Sequence, residues 1–430
     1  MKMILKRDGR RTKFDKNKII IAIKRAFDNT EGETYDEYAE AKANNIADYI
    51  ESYVNESNKM LSVEEIQDLV ENGLMSCKKK NVAKEYILYR AKRTKERQRN
   101  SPFNKTIGEK LTASNVQHQN ANMDEYSFGG RMGEAGDELA RQYALDNNII
   151  SEKFVRLHEE NILYCHDLCA VAVGSHNCLT IPFDDLLSKG FETRQQSIRP
   201  AKTVSSALQL IAVASQCQSL NQFGGVAASH IDWTLVPYVR KSFWKHFKDG
   251  LRYIELETTL FSDVEDEIYD ILDNEDWSNK SIISEDYKRF KKAYSYAMDM
   301  TVKETYQAVE GMFHNLNSLQ SRSGNQLPFS SICYGTCTLE EGRLVTKAIL
   351  ENSIEGGGKL HSTYIFPCQI FKIAKGINKE PNTPNYDLYQ LALKSTSLRL
   401  YPNYANVDWS VNQFKNDGSI DSEMATMGKV

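Results

Sequence analysis

VKETYQAVEGMFHNLNSLQSRSGNQLPFSSICYGT, residues 302–336, is the stretch whose reading decides the fold. Val309, Met312, Phe313, Leu316 and Leu319 recur at helical spacing, so one stripe of a helix packs inward. Gly324 stands beyond the stripe as a C-terminal stop. Leu327, Phe329, Ile332 and Cys333 then make a short apolar segment entered through Pro328, which a strand tolerates at its first residues or on an edge. A helix that hands over to a buried strand is an α/β unit. The rest of the helix end carries His314, Asn315, Asn317, Ser318, Gln320, Ser321, Arg322, Ser323, Asn325 and Gln326, where a solvated face would carry Lys and Glu. Such neutral hydrogen-bonding groups suit a partly enclosed site for a ligand with several hydroxyls; ordinary capping of an uncharged helix end is the other reading.

The bulk properties fit a large folded protein. The 430 residues are 41% hydrophobic and 26% charged with a net charge of -4, enough to bury a sizeable core in two or three domains. Balanced charge argues against a nucleic-acid binder that works through a basic surface. The chain has eight Cys, no signal peptide and no apolar run that would span a bilayer, which points to a reducing cytoplasm and to no membrane association. Cys165 and Cys169, like Cys333 and Cys337, are four apart, and with no CxxC pair no metal site is expected.

Near the N-terminus, Met3 to Leu5 and Thr12 to Phe14 read as two short strands joined through Asp8-Gly9, and Asp15 can cap a helix beginning at Lys16. Lys6, Arg7, Arg10, Arg11, Lys13 and Lys18 crowd positive charge around that helix start, where free backbone N–H groups also favour an anion; a solvated basic turn is the alternative. Helices are expected over 35–54 and 62–77, the second with a capping box in Ser62-Val-Glu-Glu65, and then over 83–99.

Three pieces, KRDGR with F-D-x-x-K-I, S-V-E-E-I-Q-D-L-V-E, and V-A-x-x-Y-I-x-Y-R, follow in this order and together resemble the ATP-cone domain found in front of ribonucleotide reductases. The resemblance implies that Lys6 and Arg7 contact triphosphate, that Asp8 and Gly9 shape the hairpin, and that Lys18 reaches the phosphates of ATP or dATP acting as allosteric effectors. ATP cones also front a family of transcriptional repressors, so a cone by itself identifies a nucleotide sensor.

The polar stretch 100–120, opened by Ser101-Pro102, reads as irregular and places a domain boundary after Arg99, giving domains 1–99 and 100–430. Beyond it, a Gly-Gly turn at 129–130 precedes a helix expected near Gly133; its GGRMG spacing fits no established phosphate loop. Residues 162–183, ILYCHDLCAVAVGSHNCLTIPF, gather His166, Asp167, His176, Asn177 and Cys178 on or between apolar runs. Cys165 and Cys169 read as small core residues, whereas Cys178 lies among polar neighbours. Asn221, Gln222 and the pair Gly224-Gly225 form a turn with close backbone approach. The segment 262–276 is rich in carboxylates and reads as a solvated helical face.

D-E-Y-S-F-G-G-R, H-D-L-x8-N-C-L, L-N-Q-F-G-G-V-x4-I-D, H-N-L-N-x3-S-R-S-G-x-Q-x-P-F-S-S-x2-Y-G-T, Y-I-F-P-x-Q-I-F-K and Y-P-N run through nearly the whole remaining chain. In this order they are similar to the anaerobic, glycyl-radical (class III) ribonucleoside-triphosphate reductases. The resemblance implies a small α+β cone followed by the N-terminal part of a ten-stranded α/β barrel that encloses the nucleotide. It implies that Cys178 is the cysteine assisting ribose reduction, that Asn315 to Ser331, including Ser330 and Ser331, form a polar wall opposite the substrate, and that Asn221, Gln222, Gly224 and Gly225 face the nucleotide. With Asn315 in a catalytic role, His166, His176 and Asn177 complete the expected site. The implied partners are ribonucleoside triphosphates, a radical-SAM activating enzyme and a second copy of the chain, through helices in the region 241–300. Radical chemistry on a ribose needs a thiol with a weakly held hydrogen, amides that hold hydroxyls, and exclusion of water.

In that family the segment after Y-P-N reads A-T-M-G-C-R, and its cysteine becomes the thiyl radical; here Ala425-Thr-Met-Gly428 is followed by Lys429 and Val430. The expectation from the sequence is therefore an N-terminal portion of the reductase, inactive alone and completed by a C-terminal piece that carries the glycyl radical. The competing expectation is a regulatory nucleotide-binding protein with a working cone and an inert barrel half.

Overall fold

The computed structural model describes residues 2–7, 9–115, 123–174, 177–259 and 262–409. The chain divides into two compact units, Met1–Glu109 and Lys110–Val430.

The first unit is a hairpin on a helical bundle. β1 (Met3–Leu5) pairs antiparallel with β2 (Arg11–Lys13), and four helices follow: α1 (Lys16–Asp28), α2 (Glu37–Glu56), α3 (Val63–Met75) and α4 (Lys80–Arg99). The Asp15 carboxylate accepts from Asn17 N–H at the start of α1, and Ser62 with Glu65 closes the expected capping box on α3. Ile23, Phe27, Ile50, Val70 and Leu74 fill the core between these helices.

The stretch expected to be irregular differs. Pro102–Thr112 is a helix, α5, because Ser101 Oγ accepts from Asn104 N–H and Pro102 occupies the first helical turn, where its missing N–H costs nothing. The residues read as a loop opening are a cap and a helix start.

The second unit runs α6 (Phe128–Asp146), α7 (Glu152–Glu159), α8 (Leu168–Val173), β3 (Leu179–Thr180), α9 (Phe183–Lys189), β4 (Phe191–Glu192), β5 (Ser197–Ile198), α10 (Val204–Ser219), β6 (Val226–Ala228), α11 (Ile231–Thr234), α12 (Val236–Gly250). It continues with α13 (Leu256–Thr258), α14 (Ser262–Asp273), α15 (Glu285–Lys288), α16 (Lys291–Ser318), β7 (Ser330–Tyr334), α17 (Glu340–Glu355), β8 (Cys368–Ile373), α18 (Tyr386–Arg399) and β9 (Asn403–Asn406). β3, β6, β7, β8 and β9 form a parallel sheet in that order, five strands among the described residues, so the class is α/β. Fully buried β6 and β7 are what a parallel sheet covered on both faces requires.

One face of this sheet packs on helices. Val226, Ala228, Ile332, Tyr334 and Phe371 join Val309, Met312, Phe313 and Leu316 of α16 in the main core. Alternation sends Thr180, Ala227, Ser331, Cys333 and Ile370 to the opposite face, where Cys333, Ile370 and Ala405 form a small cluster of their own. The apolar stripe expected on α16 is present except for its last member. The helix ends at Ser318, and Leu319, just past it, is half exposed. Gly324 is not its stop; with φ at 75°, it bends a short 3-10 turn, Ser323–Asn325, five residues further on.

The glycines of GGRMG also have a different use. They lie inside α6, which Ser127 caps through Gly130 N–H, rather than ahead of a helix at 133. A Cβ at Gly133 would stand 2.8 Å from Gly324 Cα, and one at Gly129 2.5 Å from Asn325 Oδ1, so these positions let the 3-10 turn approach α6.

Candidate functional site

In the first unit, Lys6 and Lys18 line one cavity of about 210 Å³ with Lys13, Phe14, Gln67 and Tyr86. A neighbouring cavity of about 200 Å³ shares Gln67 and Tyr86 and adds Arg25, Tyr89, Arg93 and Arg97. Burial and then the charge of Arg7 push the Arg97 guanidinium down, a crowding of like charge that favours an anion. Arg7 itself is engaged with α3, donating to Glu64 and, at 2.7 Å, to Gln67 Oε1. Gly9 turns the hairpin with φ at 77°. Asp8 lies outside the described residues.

In the second unit, the sequence places Cys178 one residue before β3, on the face that alternation turns away from the helix layer. Gly225 N–H donates to Cys178 Sγ at 3.3 Å, the thiol lies 3.4 Å from Asn177 Oδ1, and Leu179 N–H continues the ladder to Gly225 O at 3.1 Å. The thiol is free and exposed. Gln222 is buried and donates to Gly225 O at 2.8 Å and to Gly224 O at 3.3 Å, so its amide holds the turn rather than reaching outward. Asn221 closes back on Cys217 O at 3.0 Å. Ser331 shares the face of Cys178, whereas Ser330 faces the helix layer and its hydroxyl is buried without a hydrogen-bond partner among the described residues.

Gly224 is what allows this turn to close, since a Cβ there would sit 1.9 Å from Asn177 O. Gly224→Ala is therefore expected to push the Gly225 N–H off the thiol at a cost of about 2 kcal/mol. Amide exchange at Gly225 measures it; unchanged exchange would remove the turn from any role in holding Cys178.

The structure does not bring every expected residue here. Asn315 Nδ2 donates to Gln209 Oε1 on α10 at 2.9 Å, in the helix layer. Asn317 donates to Phe313 O at 2.7 Å and to Phe366 O, and accepts from Ile365 and Phe366 N–H at 2.8 and 3.0 Å, clamping the loop before β8. His166 is exposed and paired with Asp167. His176 lies outside the described residues.

Sequence reading named most of the groups that line the neighbouring cavity, Asp167, Gln222, Arg322 and Gln326 among them, but passed over Asp137. About 370 Å³ in volume, it is walled by Asp137, Asp167, Gln222, Arg322, Gln326 and Phe329, among others. Burial, then Glu134, pushes the Asp137 carboxyl up, and burial pushes the Cys169 thiol beside it up as well. The available signal for Arg322 was that it is the only cation in a run of neutral polar residues.

The family model of the anaerobic ribonucleoside-triphosphate reductases matches residues 119–428. The chain belongs to that family. The ATP cone domain model matches residues 2–95. The anaerobic ribonucleoside-triphosphate reductase of Haemophilus influenzae is 30% identical over 410 residues, 94% of this chain and 52% of the relative. That of Escherichia coli is 30% identical over 408 residues, covering 94% and 51%. The chain thus spans about half the length of these reductases. Among solved structures, the anaerobic ribonucleotide reductase from Thermotoga maritima in complex with dATP and CTP aligns with a TM-score of 0.45 at 13% identity, over 71% of this chain and 47% of that one. Among the described residues no helix is long and apolar enough to cross a membrane, and no group of three or more His, Cys, Asp and Glu is placed to hold a metal ion.

Proposed function

We propose that this chain takes part in the reduction of ribonucleoside triphosphates to deoxyribonucleotides, with the ribose held at Cys178 and with ATP or dATP bound by the cone of residues 1–99 as effectors. The observation that carries the reading is the free Cys178 thiol, held by Gly225 N–H on the sheet face away from the helix layer. Reduction replaces one ribose C–OH bond by C–H, consumes two electrons and two protons, and releases water. In this reading a glycyl radical would generate the thiyl radical that abstracts hydrogen from the ribose, and an external two-electron donor, formate or a thiol, would supply the electrons. Cys178 gives hydrogen to the sugar, and Asn177, Ser331 and the 224–225 turn are the polar groups nearest to orient it. His166, His176, Asn221, Gln222 and Ser330 stand as further candidates on the same reading, while Asn315, paired with Gln209, is better placed to tie α16 to α10 than to act on substrate. A radical-SAM activating enzyme, a second copy of the chain and a cytoplasmic setting complete the proposal. A purely regulatory chain would have no use for a thiol presented in this way.

Ribonucleotide binding at this thiol has a direct readout. At a CTP concentration about ten times its Kd, alkylation of Cys178 by iodoacetamide, followed by mass spectrometry, is expected to slow about tenfold by mass action. An unchanged rate at saturating CTP would refute a substrate site at Cys178.

At the cone, the double change Lys6→Ala, Lys18→Ala is expected to weaken ATP binding about a hundredfold in calorimetry, two charge-assisted contacts at about 1.5 kcal/mol each. Arg7→Ala is expected to matter less, because Glu64 and Gln67 already occupy it. Affinity unaffected by the double change places the nucleotide elsewhere.

A further inference from the structure

The cavity neighbouring Cys178 contains a buried cation that forms no ion pair among the described residues. Arg322, on the connection between α16 and β7, is 9% exposed. Its guanidinium lies 4.6 Å from the ring centre of Phe329 and 5.5 Å from that of Phe223, and it donates through Nη2 to Phe223 O. Among the described residues, Nη1 is buried with no hydrogen-bond partner. A buried guanidinium in a native protein is ordinarily matched by a carboxylate or phosphate, because leaving it unpaired costs several kcal/mol.

The two carboxylates of the cavity wall do not match it. Among the described residues Arg322 forms no ion pair; Asp167 is paired with His166, and Asp137, its carboxyl pushed up by burial and by Glu134, acts on Arg322 through its charge without a salt bridge. Arg322 does feel the charges of Asp137, Cys178 and Asp167, which sets it within electrostatic range of the thiol. Its backbone is fixed as well. Arg322 N–H donates to Gln326 O at 3.2 Å, and the adjoining turn at Gly324 packs on Met123 and Gly133. A planar fork of donors, stacked between rings on a fixed turn beside a cavity of about 370 Å³, is preorganised for a bidentate oxyanion, and the cavity falls in the size range of small-molecule sites.

We infer that Arg322 binds a phosphate group of the nucleotide whose ribose lies at Cys178, and so ties the triphosphate to the reacting sugar. The inference rests on the substrate reading proposed above. A nucleoside lacking phosphate leaves the guanidinium unmatched and gains little from it.

The test compares how well CTP, cytidine and inorganic triphosphate protect Cys178 from iodoacetamide in the full chain and in Arg322→Met, which keeps an apolar stem between the rings but removes the charge. CTP is chosen because adenine nucleotides are expected at the cone. In the unaltered chain CTP is expected to half-protect at a concentration about a hundredfold below cytidine, and in Arg322→Met that gap is expected to close to within a few-fold, as befits loss of a charge-assisted pair. Arg322→Lys keeps a cation for folding and loses the two-pronged geometry, so it is expected to raise the half-protecting CTP concentration about tenfold and serves where the Met variant does not fold. A CTP-to-cytidine gap that survives in both variants overturns the role of Arg322 while leaving the substrate site standing. Inorganic triphosphate protecting the unaltered chain as well as CTP does overturns the nucleotide assignment in favour of free polyphosphate. No protection by CTP in the unaltered chain overturns the substrate reading, and this inference with it.

Discussion

Phe313→Asp is expected to unfold the second unit outright. Phe313 is fully buried on α16, meets the Tyr364 ring edge-on at 4.9 Å between centroids, and belongs to the core that joins α16 to β6, β7 and β8. Removing the ring alone costs about 3–5 kcal/mol. Forcing a carboxylate, or its proton, into the same space adds several kcal/mol. The sum rivals the 5–15 kcal/mol that a whole domain has to spare, so no cooperative transition of the second unit is expected in thermal or urea melts. Asn315→Leu, two residues away, is the contrast: it loses an exposed bond to Gln209 and is expected to shift stability by no more than about 1 kcal/mol, with CTP protection of Cys178 unchanged. A folded Phe313→Asp protein would show that the helix layer is not the core.

Asp232→Ala is expected to be the costliest change outside that core. The carboxylate is fully buried and accepts Gly335 N–H at 2.8 Å, Cys337 N–H at 2.9 Å and Trp233 N–H at 3.2 Å. The carbonyls of the same turn are taken by Asn378, at 2.9 Å from Gly335 O, and by Asn385, at 2.8 Å from Cys337 O. Alanine strands buried donors at about 1–3 kcal/mol apiece, for a loss of about 3–5 kcal/mol in urea titrations with an unchanged slope. Asp232→Asn keeps one acceptor and sets an amide N–H against the remaining donors, so about half that loss is expected. A loss below about 1 kcal/mol for the alanine variant would mean that water replaces the carboxylate.

Local rules were read correctly where a single element obeys them. Asp15, the Ser62–Glu65 box, the hairpin and the stripe from Val309 to Leu316 depend on neighbours a few residues away, and each is in place. The amides of 314–326 were harder to read because an amide that grips a ligand and one that grips a backbone have the same composition. Asn317 holds the Ile365–Phe366 loop, Asn315 holds Gln209, and neither partner is near in sequence. The same holds for GGRMG, where the glycines serve an approach by residues 324 and 325 that no spacing rule foretells. At the candidate site the reading named Cys178, its glycine turn and, among the polar residues of 314–326, Arg322, but not the state of Arg322, whose Nη1 is buried without a hydrogen-bond partner among the described residues, a feature visible only in three dimensions.

The strand order of the second unit bears on how the chain is made. Because β3, β6, β7, β8 and β9 neighbour one another in the order in which they are synthesised, each newly emerging strand docks on the exposed edge left by the last. Among the described strands, none has to be threaded between two that are already paired. The growing sheet can therefore be laid down vectorially during translation, each step closing one helical crossover, and a ribosome stalled after β7 would hold a paired three-stranded nucleus.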